Sequence, residues 1–147
     1  DDVLVRVLMA VPRRAVIHQN GKGAVVNAVS KGQGRVGLVD EDPGKSQPAY
    51  LERMRQVVED TQSGLKLLRD SRSNKIVALC PDLEGWIVRA AQEARVDLGR
   101  YGLPDDPKGL HRVLNADLNL SRFEEVVEAL RESRRLTTLR RLLEGHQ

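Results

Sequence analysis

The sequence predicts an α/β domain: a partly parallel sheet flanked by helices, followed by a helical C-terminal extension. Three observations predict it. In the first half, short apolar runs bounded by turn formers alternate with segments of helical period. Of the 147 residues 40% are hydrophobic but only 3% aromatic, so the core is mostly Leu, Val, Ile and Ala, which suits buried strands covered by helices. Beyond residue 107 every pattern is helical. The expected division is an α/β domain over residues 1–100 and an extension over 101–147 packed on it.

Asp1 or Asp2 suits the cap of a first helix, with Leu4, Val5, Leu8 and Met9 at helical spacing until Pro12 stops it. Residues 15–18 form a candidate strand, and Asn-Gly-Lys-Gly at 20–23 a turn. Residues 24–29 read as a short helix ending near Gly32. Residues 35–39 (RVGLV) are the best strand, an apolar run with turn formers on both sides and no helical period. It runs into Asp40-Glu41-Asp42, where Pro43 and Gly44 prevent continuation.

A helix is expected from about Pro48 to Thr61, with Pro48 in its first turn and Leu51, Met54, Val57 and Val58 as its apolar stripe. Residues 65–68 and 75–79 read as strands, and the turn formers at 70–74 make them a hairpin. Asp82 caps the next helix, which carries Leu83, Trp86, Ile87 and Ala90 on one side. A loop, a short helix at 108–114 and a helix from Ser121 to about residue 131 follow. Ser121 and Glu124 have the spacing of a capping box. A last helix, broken or bent near Ser133, runs to about residue 144.

The formal net charge is only +3. The basic residues concentrate late: Arg131, Arg134, Arg135, Arg140 and Arg141 face a single Glu between them. Such a stretch either contacts phosphate or is a solvated helix face. Cys80 is the only cysteine, so no disulfide forms within the chain and no zinc spacing exists. A reducing, cytoplasmic setting is expected. No apolar run approaches the roughly 20 residues of a membrane span, and no signal-peptide pattern is present.

Chemistry centres on Asp40 and Asp42. The two are two residues apart in an extended segment and so point to the same side. Two converging carboxylates repel unless a cation intervenes, and Mg²⁺ is the natural one. The alternative is a polar turn that ends the strand. Glu84 also follows an apolar strand, in the first turn of a helix where the dipole favours it, and is the candidate third acid. Its alternative is an ordinary helix-start acid. Lys22 is not a Walker lysine, because Val16 stands where that loop needs Gly and Gly23 replaces the Ser or Thr. A turn lysine at a helix start can still touch phosphate. His18 and His111 lack a Ser or Cys partner at a readable spacing. Cys80 is expected to be buried and inert, and Trp86 a core anchor.

Taken in order, GKG before a helix, GLVDEDPG at 37–44 and PDLEGW at 81–86 resemble a TOPRIM domain. The resemblance spans about residues 1–89 and is closer to RloB-like and overcoming-lysogenization-defect nucleases of bacterial defence. It implies a Toprim-like, Rossmann-like sheet and Mg²⁺ (or Mn²⁺) held by Asp40 and Asp42. Asp82-Leu83-Glu84 is similar to a further metal-holding element, so Glu84 takes that role. The implied activity is a Mg-dependent nuclease or related phosphoryl transfer on DNA or RNA. Lys22, Arg134, Arg135, Arg140 and Arg141 would approach the backbone. The family pattern opens with a strand ending in a catalytic glutamate, which no residue here matches; Asp1 or Asp2 would be the tail of that motif in a longer protein. The other expectation is a non-catalytic interaction module of a toxin, defence or repair complex. The Leu136, Leu139, Leu142 and Leu143 stripe would then serve an oligomer or partner.

Overall fold

The computed structural model describes residues 2–9, 21–116 and 120–145. In chain order these form α1 (Asp2–Met9), α2 (Lys22–Ser30), β1 (Val36–Asp40), α3 (Ala49–Arg53), β2 (Arg55–Asp60), β3 (Leu65–Arg69) and β4 (Lys75–Leu79). Then follow α4 (Leu83–Ala94), a 3-10 turn (Leu98–Tyr101), α5 (Pro107–Asn115), α6 (Leu120–Ala129) and α7 (Arg134–Glu144). The class is α/β, as expected. The candidate strand at 15–18, with His18, lies outside the described residues.

The described chain divides into two compact units. One contains α1 and Leu83–Arg140; the other contains residues 21–82 and 141–145. In the structure α4 belongs with the later helices and with α1.

The second unit holds a mixed four-stranded sheet in the order β1-β4-β3-β2. β1 and β4 are parallel, with Val36 opposite Lys75 and Asp40 opposite Leu79. β3 is antiparallel to both β4 and β2. Helix α2 covers this sheet, with Val26 and Val29 buried in one cluster with Val39, Met54, Ile76 and Ala78. Gly37 makes the close approach feasible. A Cβ there would lie 2.9 Å from both Ile76 Cδ1 and Val29 Cγ2 and 3.0 Å from Val25 Cγ1, tighter than packed carbon atoms tolerate.

The helix expected over 48–61 is corrected. α3 stops at Arg53, Met54 is extended (φ −82°, ψ 146°), and residues 55–60 are β2. The register of β2 against β3 slips between Gln56 and Val58. Such a bulge sets two residues against one. Val57 and Val58 are therefore both half-buried, and with Met54 they imitate a helical stripe. Their β-branched side chains favour the strand that the open edge of β3 offers.

The β3–β4 hairpin forms as expected, and its turn is fastened by Asn74, which is fully buried. The Asn74 N–H donates to Asp70 Oδ1 at 2.9 Å, and its side-chain amide donates to Asp70 Oδ2 and to the Gly32 carbonyl, each at 2.9 Å. Its Oδ1 accepts the Arg35 N–H at 2.8 Å. The Tyr50 hydroxyl donates to Asp70 Oδ2. One buried amide thus ties the turn to the start of β1, with its hydrogen-bonding capacity used.

In the other unit α1 packs on α6 and α4 on α5. Leu4, Leu8, Trp86, Ile87, Leu110 and Phe123 are its largest buried anchors; Trp86 has the core role expected. Each such side chain contributes roughly 1.5–3 kcal/mol by leaving water. Asp106 caps α5, its Oδ2 accepting the Gly109 N–H at 2.7 Å. The capping box at Ser121 is corrected: α6 already includes Leu120, so Ser121 lies inside the helix. The expected break near Ser133 is present, and the Ser133 Oγ accepts the Leu136 N–H at 3.4 Å.

Candidate functional site

The acidic segment begins where β1 ends. Glu41 N–H donates to the Leu79 carbonyl and Asp42 N–H to the Pro81 carbonyl, both at 2.9 Å. The segment therefore continues alongside the tail of β4, at the carboxyl ends of the parallel pair. Asp42 then turns left-handed at φ 45°, a conformation that Asp tolerates better than most residues. Lys45 N–H closes the turn on the Asp42 carbonyl at 3.2 Å. The extended-strand reason for placing Asp40 and Asp42 on one side is thus corrected, because Pro43-Gly44 forces a turn one residue early.

What relates the acids is Lys22. It is the first residue of α2, and α2 lies against β1 through the Gly37 gap. Its Nζ donates to the Glu41 carbonyl at 2.7 Å and to Gln47 Oε1. Burial lowers the Lys22 pKa, while the negative charges of Asp42, Glu41 and Asp40 push it up without cancelling that effect. Gln47 also holds the loop through its side-chain N–H group, which donates to the carbonyls of Asp42 at 3.2 Å and Lys45 at 3.0 Å.

Glu41 is committed elsewhere. Its carboxylate accepts from Lys66 on β3, and that hydrogen bond raises the Lys66 pKa. Asp42 lies 3.9 Å from Lys45, an exposed cation whose pairing is weak in water. Burial, reinforced by the charge of Glu41, pushes the neighbouring Cys80 thiol up to about 11. Cys80 is only half-buried, but its thiol is far from the thiolate that reactive cysteines need.

Glu84 lies in the first turn of α4, in the other unit. Its Oε1 is 2.8 Å from His111 Nδ1 on α5, with the Glu84 side chain 12% exposed and His111 61%. The histidine thus has a carboxylate partner that spacing in the sequence did not reveal. Among the described residues no three His, Cys, Asp or Glu side chains gather closely enough to hold a metal ion.

The arginines expected at nucleic acid differ among themselves. Arg135 is 5% exposed; its Nε donates to Glu93 Oε1 at 2.9 Å and its Nη2 to Glu93 Oε2 at 3.2 Å. The Arg135 guanidinium is thus engaged by the Glu93 carboxylate. Arg134 and Arg141 are exposed and Arg140 half-buried along α7.

Glu41, Gln47 and Lys66 are the site residues that sequence reasoning missed. Glu41 was in plain view between two aspartates; Gln47 and Lys66 carried no local signal. Comparison of the chain with protein-family models, curated proteins and solved structures returned no match.

Proposed function

We propose that this chain is a Toprim-like domain that binds Mg²⁺ (or Mn²⁺) through Asp40 and Asp42 and acts on the phosphodiester backbone of nucleic acid, as a nuclease or related phosphoryl-transfer domain of bacterial defence. The observation that carries the reading is the position of the acids. They follow a parallel strand pair at its carboxyl end, with both carboxylates acting on the Lys22 ammonium. Open α/β sheets bind ligands at that end. The ordered motifs GLVDEDPG and PDLEGW support the family.

In this reading the divalent ion, when bound, polarises a phosphoryl oxygen and offsets developing charge. Lys22, held between the Glu41 carbonyl and Gln47, is placed to donate to a phosphate oxygen once substrate arrives. Gln47 keeps the acidic loop from relaxing. Helix α7 offers Arg134 and Arg141 to the nucleic-acid backbone.

One observation favours a second reading. Lys22 already supplies a positive charge among the three acids, as suits a non-catalytic module of a toxin, defence or repair complex. Cleavage of plasmid, single-stranded DNA and RNA with Mn²⁺, compared between wild type and Asp40→Ala, tests the first reading. Metal-dependent cleavage lost in the variant supports it, and equal cleavage by both removes it. Glu84→Gln with intact cleavage assigns Glu84 to its pair with His111 alone.

A further inference from the structure

The end of the sheet remote from the acids is basic. The strand register pairs Arg55 with Arg69, and Arg69 with Lys75. These are the first residue of β2, the last of β3 and the first of β4. Directly opposed residues share a face, with Cβ atoms about 4.5–5.5 Å apart. Three cations therefore stand in a row across three strands. Arg53, at the end of α3, joins them in lining a cavity of about 670 Å³.

Like charges directly opposed destabilise a strand pair, and here the arrangement occurs twice in succession. Asp70, also on the cavity wall, is the one acid among the lining residues. Its Oδ1 accepts the N–H groups of Arg72 and Asn74, and its Oδ2 accepts from Tyr50 and the Asn74 amide. Lys75 feels the crowding: burial first, then the charge of Arg69, lowers its pKa. Its ammonium reaches the Leu142 carbonyl at 3.1 Å, a neutral acceptor. Ser71 and Ser73 add hydroxyl groups to the wall.

We propose that this cavity binds the polyphosphate chain of a small molecule. Its volume falls within the usual range of small-molecule pockets. Three adjacent strands span about 10 Å, which suits several linked phosphoryl groups better than one. Arginine forks bind phosphoryl oxygens in pairs. The site is independent of the carboxylate reading, because it shares none of its residues.

Calorimetric titration of the full chain in chelator-containing buffer tests it. The ligands are tripolyphosphate, ATP, sulfate and a single-stranded oligonucleotide. Tripolyphosphate is expected to bind one to one and at least about ten-fold more tightly than sulfate, as extra charge-assisted contacts imply. ATP binding more tightly than tripolyphosphate identifies a nucleotide as the source of the chain; equal binding assigns recognition to the phosphates alone. Arg69→Gln and Arg55→Gln should each weaken binding about ten-fold. Arg55 is exposed, so its variant should keep the wild-type melting temperature, which separates lost binding from lost fold. Sulfate binding as tightly as tripolyphosphate, the oligonucleotide binding more tightly, or both variants binding like wild type would overturn the proposal.

Discussion

The Lys22 ammonium sits 2.7 Å from the Glu41 carbonyl oxygen, so the start of α2 is fastened to the acidic segment that ends β1. The negative charges of Asp42, Glu41 and Asp40 act on this ammonium. Lys22→Met removes that charge and leaves the acids to repel one another. The variant should lose about 1–2 kcal/mol of stability without divalent ions. It should also show a larger gain on adding Mg²⁺ than wild type. Chemical denaturation with and without Mg²⁺ measures both.

Asp70 predicts an acid-side transition. Desolvation pushes its carboxyl up, but hydrogen bonds from Tyr50, the Asn74 side chain and the N–H groups of Asn74 and Arg72 outweigh it and hold the pKa at about 2. A folded-state pKa below the unfolded value stabilises the protein fully above the unfolded pKa, near 3.8. That contribution fades as pH falls through about 2. Asp70→Ala should cost about 1–3 kcal/mol near neutral pH, because buried Asn74 loses a partner. The difference from wild type should shrink between about pH 4 and pH 2.

Gly37→Val places two methyl groups where α2 already touches β1. Overpacking of this kind costs about 1–3 kcal/mol. Gly37→Ala should cost less, since Ile76 Cδ1 is the far end of a side chain. Thermal unfolding ranks the two variants, and equal stability of Gly37→Val and wild type would contradict the packing described.

Arg135 should behave as a structural residue. Glu93→Ala leaves a buried guanidinium without its bidentate partner; a loss of about 1–3 kcal/mol follows once the exposure of Glu93 is discounted. Arg135→Gln should lower the melting temperature without changing the salt dependence of nucleic-acid affinity. Loss of a phosphate contact would reduce that slope by about one.

The sheet was partly legible in the sequence. β1, β3 and β4 are short apolar runs between turn formers, and that punctuation located them. β2 was not legible, because a bulge gave Met54, Val57 and Val58 the spacing of a helix. The acids at Asp40 and Asp42 were legible as a motif, but their relation was not. It runs through Lys22, brought near by a glycine in the neighbouring strand, and through Gln47, whose side chain folds back on its own loop. The row of Arg55, Arg69 and Lys75 depends on strand register across two turns, which no local pattern encodes. Arg135 looked like surface charge because its partner, Glu93, is distant in sequence.

Thermal unfolding with and without Mg²⁺, in wild type and in Asp40→Asn, tests the central claim most directly. A ligand that binds only the folded state raises stability in proportion to its occupancy. The carboxylate reading predicts that millimolar Mg²⁺ raises the wild-type melting temperature and leaves that of Asp40→Asn unchanged. An equal rise in both proteins, or none in wild type, would contradict it.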